Sequence, residues 1–184
     1  MNIAFTGHRP NKLGGYDFDN EKNRLIRFKL LEVIEDILVT REDINFHFIC
    51  GGAIGVDQFA FHVCNKLKER CNPNTIAITT EIAIPFLDQP SKWYGADKFR
   101  YEFHKKIADK VTYVDMLNNY IIEDYIAGGY YPAKMQQRNK YMVDNCDILI
   151  AVWDGSKGGT VNCVNYAKKL GKKNIYINPK DIEV

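Results

Sequence analysis

The sequence predicts an α/β fold: a single Rossmann-like domain with an open, mainly parallel sheet flanked by helices. Three observations carry that expectation. Short apolar runs alternate with amphipathic segments along the whole chain, one of those runs is apolar throughout, and glycine-rich turns stand where strands should hand over to helices. With 184 residues and 46% apolar content, the chain can bury one sizeable core, so residues 1–184 are read as one domain.

The elements follow in order. Ile3 to Phe5 is the first strand, and after it Ile26, Leu30, Val33, Ile34 and Ile37 recur at spacings of four, seven, eight and eleven, the stripe of an amphipathic helix. Phe46 to Cys50 is the second strand, followed by a helix with Val56, Ala60, Val63, Cys64 and Leu67 on one face. Glu81 to Ile84 and Val111 to Val114 are the third and fourth strands, with a helix over Asp97 to Ala108 between them. A fourth helix runs from Ala133 to Val143. Ile148 to Trp153, apolar at every position as a strand covered on both faces requires, should lie centrally in a parallel sheet. A helix from Val161 to Leu170, stopped by Gly171, leads to a last strand, Ile175 to Ile177. Strands joined by helices in this way return to the same edge through right-handed crossovers.

Composition excludes several classes. The net charge of +2 with an ordinary charged fraction gives no polyanion-binding tail, so nucleic acid is not the expected partner. Five cysteines without a CxxC pair read as reduced, mostly buried thiols. Four scattered histidines have no zinc spacing, so neither a metal nor a cofactor is expected. The start, Asn2-Ile3-Ala4-Phe5, is not a secretory signal, and no apolar run approaches a membrane span, which leads us to expect a cytoplasmic protein with no membrane partner.

The long irregular stretches Thr6 to Asp17, Pro85 to Ala96 and Asp115 to Pro132 are where ligand contact is expected. The last carries Tyr120, Ile121, Ile122, Tyr125 and Ile126, too apolar for a free loop, and reads as a helical insertion or a partner surface, in keeping with a homo-oligomer.

The strongest chemical signal is Cys50-Gly51-Gly52-Ala53-Ile54-Gly55-Val56-Asp57, between a strand and a helix. Glycines there permit a tight turn and close backbone approach, while free N–H groups and the helix dipole favour an anion. On that reading a branched side chain at Gly52 would fill the anion space. The spacing is GGxxG with no P-loop lysine, which disfavours the dinucleotide and P-loop classes. A second loop of the same kind, Asp154-Gly155-Ser156-Lys157-Gly158-Gly159-Thr160, should share its edge, with Thr160 as helix cap or hydroxyl donor to phosphate. The turn Thr6-Gly7-His8-Arg9-Pro10 brings Arg9 to that edge as a bidentate phosphate reader. Gln89 and Trp93, the latter as a stacking surface for a base, and Gln136, Arg138 and Asn139 complete the candidate pocket. Asp57 and Asp154 each suit a ribose contact, a cap or an acid/base role, and are the candidate catalytic carboxylates.

These residues together resemble the SLOG superfamily in its stand-alone DUF1273/YpsA-like branch. The matching stretches are Thr6-Gly7-His8-Arg9-Pro10 with Lys12-Leu13-Gly14-Gly15-Tyr16, Gly51-Gly52-Ala53 with Gly55-Val56-Asp57-Gln58, Pro85-Phe86, Trp93, Met135-Gln136 with Arg138-Asn139, Met142-Val143-Asp144, and Ala151 to Gly155 with Gly158-Gly159-Thr160. The resemblance implies a Rossmann-like fold that binds, senses or processes nucleotide-derived ligands, including ADP-ribose-like signals in bacterial and phage conflict. Related branches are the LOG phosphoribohydrolases and the DprA proteins. Asn162, Cys163 and Val164 stand where the LOG pattern PGGxGTxxE seeks a glutamate, which argues against that hydrolysis. The leading expectation is a sensor or sequestering protein for a phosphorylated, nucleotide-derived small molecule, ADP-ribose-like or a cyclic nucleotide. A hydrolase of N-glycosidic or phosphate bonds is the alternative, and a DprA-like single-strand DNA binder the third reading.

Overall fold

The computed structural model describes residues 1–122 and 129–183. Six strands, β1 (Asn2–Gly7), β2 (Asn45–Cys50), β3 (Ala77–Ile84), β4 (Lys110–Tyr113), β5 (Ile148–Val152) and β6 (Lys173–Ile177), form one sheet in the order β4-β3-β2-β1-β5-β6. Every pairing is parallel. Five helices connect them: α1 (Glu21–Thr40), α2 (Val56–Arg70), α3 (Gly95–Ile107), α4 (Pro132–Asp144) and α5 (Gly159–Lys169).

Alternation along the strands sends side chains to two cores. Ile3, Phe5, Phe48, Ile82 and Ile150 point to one face, where α1 contributes Ile26, Leu30, Ile34 and Ile37 and α2 contributes Val56, Phe59, Ala60 and Val63. Ala4, Ile49, Ala83, Leu149 and Ala151 point to the other, under Met142 and Val143 of α4 and Cys163, Val164 and Ala167 of α5. Four of the five thiols are buried, and Cys71 is partly so. At the end of α5, Gly171 sits at φ +67° and its N–H reaches Lys168 O at 3.0 Å, while Lys172 N reaches Ala167 O at 3.0 Å, the paired bonds of a Schellman stop.

Three sequence expectations need correction. β5 is buried along its length as expected, but it lies one strand in from the edge, and β2 and β1 hold the middle. β3 begins at Ala77 rather than Glu81; Thr79 and Thr80 disguise its first half, yet Thr80 is buried because Asp109 Oδ2 accepts from both its N–H (2.8 Å) and its hydroxyl (3.1 Å). Val114 leaves the fourth strand to start a single helical turn, Val114–Met116. Within the 115–132 stretch, Tyr120 packs edge-on to Tyr141 and donates to Asp144, Ile121 is exposed, and Tyr125 and Ile126 lie outside the described residues.

One polar knot is buried beside β3. The Glu81 carboxylate accepts from His47 Nε2 at 2.8 Å, Thr112 Oγ1 at 2.6 Å and Tyr141 OH at 2.6 Å, with Lys110 Nζ at 3.2 Å. Burial alone would raise its pKa; these partners outweigh burial and bring it down to about 2.

The chain order fixes where a ligand can sit. From β1 the sheet grows outward through β2, β3 and β4, then the chain crosses back over the opposite face to place β5 on the other side of β1. The loops leaving β1 and β5 therefore diverge at their carboxyl ends, the switch point at which doubly wound sheets open a crevice.

Candidate functional site

A cleft of about 250 Å³ occupies that crevice. Four segments line it: Thr6 to Arg9 with Asn11 and Lys12 after β1, Ala53, Ile54, Val56 and Asp57 at the start of α2, Met135, Gln136, Arg138 and Asn139 on α4, and Ser156 to Thr160 before and within α5. The backbone of His8 stitches the first segment to its neighbours, its N–H donating to Val152 O (3.1 Å) and its carbonyl accepting from Val56 N (3.2 Å). Gly7 is required because a Cβ there would lie 2.5 Å from Val56 Cγ2.

The loop after β2 forms the floor. Asp57 Oδ2 accepts from Arg138 Nη1 at 3.0 Å and from Ala53 N at 3.2 Å, and Arg138 Nε donates to Asn139 Oδ1 at 3.1 Å, all on side chains that are nearly buried. The guanidinium rests on Gly51, where a Cβ would fall 1.5 Å from Arg138 Nη1. Gly55 starts α2 at φ +103°, 2.6 Å short of His8 O if it carried a Cβ. The expectation that Gly52 borders the anion space is overturned: at φ +72° its missing Cβ faces Tyr101 and Ile82, 3.0 and 3.1 Å away, on the core side.

The loop after β5 is built differently. Nothing lies within 4 Å of a Cβ added at Gly155, Gly158 or Gly159. α5 begins with Gly158 as its N-cap and without any side-chain cap, so Thr160 does not cap the helix; it is buried in the second position and lines the cleft. The unanswered N–H groups of a helix's first turn, with the positive end of its dipole, attract anions.

Around this opening the charge is unbalanced. Arg138 is matched by Asp57, but among the described residues Arg9, Lys12 and Lys157 have no carboxylate at ion-pair distance. Lys12 Nζ donates to Ser156 Oγ at 2.6 Å, and Arg9 Nη1 only grazes Ile54 O at 3.4 Å.

Asp154, the second candidate carboxylate, stands outside the cleft lining and behind His8. His8 Nε2 donates to its Oδ1 at 2.6 Å, while Ser156 and Lys180 Nζ (2.8 Å) take up its remaining capacity. The Lys180 ammonium, then Ser156 and His8, hold its carboxyl well below the usual range.

Gln89 and Trp93 also fall outside the cleft. They border a separate recess of about 360 Å³ with Phe86, Tyr130 and Met135, and Arg9 is common to both spaces. Trp93 stands edge-on to Tyr101 at 5.2 Å. Asn11, Lys12, Ile54, Val56, Met135, Ser156 and Lys157 also line the cleft and are absent from the sequence-predicted site. All but Asn11 stand inside the motifs quoted above, and the polar pair Asn11-Lys12 directly after Arg9-Pro10 is the sequence signal for Asn11. Among the described residues no group of three or more His, Cys, Asp or Glu gathers as a metal centre, and no helix is long and apolar enough to cross a membrane.

Fold and cleft define a doubly wound, Rossmann-like α/β domain with a polar crevice at its switch point. The chain belongs to the YspA SLOG family, whose profile matches residues 3–181. It is 42% identical over 144 residues to the SPbeta prophage-derived protein YoqJ of Bacillus subtilis, covering 78% of this chain and 81% of that one. A UPF0398 protein of Halalkalibacterium halodurans is 28% identical over 182 residues, covering 99% and 86%. Among solved structures, DNA processing protein A of Streptococcus pneumoniae superposes with a TM-score of 0.60 at 15% identity, over 96% of this chain and 50% of that one. The Helicobacter pylori protein, described with its single-stranded DNA binding mode, gives 0.55 at 15% identity, over 96% and 64%. The chain thus spans less than two thirds of either protein, and at this identity the likeness concerns the fold.

Proposed function

We propose that the cleft binds a phosphorylated, nucleotide-derived small molecule, ADP-ribose-like or a cyclic nucleotide, and that the protein senses or sequesters it in the cytoplasm without turning it over. The observation that carries this is the meeting of the uncapped start of α5 with Arg9, Lys12 and Lys157, three cations that have no carboxylate partner among the described residues. A ligand with more than one anionic group satisfies such a set, through backbone N–H groups and bidentate guanidinium contacts. Both candidate carboxylates are already engaged, Asp57 by Arg138 and Asp154 by His8, Ser156 and Lys180, which supports binding over hydrolysis. Relatedness to a prophage-derived protein fits a role in conflict between phage and host. Self-association through the 120–126 region belongs to the same proposal, and light scattering of the purified protein tests it.

Hydrolysis is the second reading, because His8 lines the cleft and is oriented by Asp154 in the manner of a base and its carboxylate. One experiment separates the two. Excess protein is mixed with ADP-ribose, denatured, and the released small molecules are resolved by chromatography. Intact ADP-ribose, bound beforehand in calorimetry, supports sensing or sequestration; product exceeding the protein in amount makes the protein an enzyme.

A further inference from the structure

We propose that the groove between the outer faces of α1 and α2 is a docking surface for an acidic, amphipathic helix of another protein. None of its residues lines the cleft, so this surface is independent of whatever the cleft binds.

The two helices cover one face of the sheet together and leave a furrow of about 240 Å³ between them. Its apolar part is Phe28 and Leu31 of α1 with Val63 of α2. Val63 is buried and Leu31 half-buried, but Phe28 is 58% exposed, an aromatic side chain that the fold itself leaves uncovered. Four permanent cations line the same furrow, Arg24 and Arg27 from α1 and Lys66 and Arg70 from α2, and among the described residues no carboxylate does. The spacing makes one continuous track of these side chains: on α1 they recur at i, i+3, i+4 and i+7, and on α2 at i, i+3 and i+7. At about 1.5 Å per residue the track is about 10 Å long, roughly two helical turns.

Charge decides what fits there. Asp19 meets Arg27 at 2.8 Å, Glu69 meets Lys66 at 2.8 Å, and Glu35 approaches Arg70 at 4.0 Å. All three carboxylates stand outside the furrow on the surface, where ion pairs hold weakly and exchange readily for those of a partner. Arg24 has no carboxylate at ion-pair distance among the described residues. His62, in the same wall, registers the excess: burial first, then Arg27 and Lys66, lower its pKa and keep the imidazole neutral. A helix laid along the furrow, with apolar side chains at i and i+4 over Phe28 and Val63 and carboxylates on both flanks, answers the apolar strip and the cations of both walls. Nucleic acid is a poorer match, because no amide or hydroxyl side chain lies between the cations to read a base.

Photo-crosslinking tests this. Phe28 is replaced by photo-reactive benzoylphenylalanine in the full chain, cells of the native host are irradiated, and the segment joined to position 28 is identified by mass spectrometry. A synthetic peptide of that segment is then titrated into the purified protein by calorimetry. The expected result is an acid-rich, amphipathic segment of another protein, whose peptide binds the natural protein and binds Arg24→Glu at least about tenfold more weakly. If that variant does not fold, the same weakening on raising salt from about 0.05 to about 0.5 M decides on the natural protein. No joined segment, attachment to nucleic acid or to a second copy of this chain, a segment without acidic residues, or an affinity indifferent to both charge reversal and salt overturns the proposal.

Discussion

The two glycine-rich loops look alike in sequence and do opposite things in the structure. Each leaves a buried parallel strand and opens a helix at the same edge. In the loop after β2 the donors are spent internally: Ala53 N on Asp57, and Val56 N on His8 O. Its glycines are there because neighbouring atoms crowd them, the Arg138 guanidinium at Gly51 and the His8 carbonyl at Gly55. In the loop after β5 no atom crowds Gly155, Gly158 or Gly159, and no side chain caps the helix. Glycine thus serves packing in one loop, while in the other Gly155 and Gly158 take positive φ and the cleft stays open beside them. A glycine cluster at a strand-to-helix turn is therefore not by itself a phosphate site; what matters is whether the protein has already filled the space with its own carboxylate.

The sharpest way to break this contrast is Gly51→Ala. The new methyl displaces Arg138 and leaves Asp57 buried and unpaired, so chemical denaturation should show a loss of about 3–5 kcal/mol; a loss under about 1 kcal/mol would mean that the floor is not rigid. Acid titration supplies a control outside both loops. Glu81 has a folded pKa of about 2 against an ordinary 4.5, so the stability it adds is present above about pH 4.5 and drains away as pH falls toward 2. The amount is about 3 kcal/mol, and Glu81→Gln should flatten that acid limb, whereas Gly159→Ala, which breaks no carboxylate pair, should leave it in place. Arg9→Ala should weaken pyrophosphate roughly tenfold in calorimetry with little change in denaturation midpoint, since the residue is exposed and is proposed to contact the anion. The smallest stability effect belongs to Gly159→Ala. Within about 1 kcal/mol of the natural protein, and in the stabilising direction expected of alanine in a helix, it should nevertheless reduce pyrophosphate affinity because its methyl enters the cleft. Equal stability losses from Gly51→Ala and Gly159→Ala would erase the distinction.

Much of the fold was legible because it is written in local periodicity. Ile26, Leu30, Ile34 and Ile37 reveal α1 without reference to anything distant, and the unbroken apolar Ile148 to Val152 reveals a strand covered on both faces. The edge that carries the site was legible too, since loops after parallel strands share one side of the sheet. What stayed hidden depends on partners far apart in the chain. Arg138 meets Asp57 across 81 positions and Asp154 meets His8 across 146, so no local pattern announces that both candidate carboxylates are occupied. The direction of Gly52 toward Tyr101 and the separation of Gln89 and Trp93 into a second recess are likewise matters of packing between elements. Lys12 was passed over because an exposed lysine after a turn looks like any solvated charge until Ser156 is found beside it.

The place of β1 between β2 and β5 has a consequence for how the protein comes to life on the ribosome. Ile3 is in register with Phe48 on one side and with Ile148 on the other, so a nascent chain can pair the first two strands early but must wait for nearly the whole sequence before β5 arrives. Until then His8 has the carbonyl of neither Val152 nor any other β5 residue to hold its backbone, and the uncapped helix start does not exist. Long-range closures of this kind come late in folding. Ligand capture by stalled chains of increasing length should therefore switch on abruptly once α5 has emerged, making the small molecule a reporter of complete synthesis rather than of partial structure.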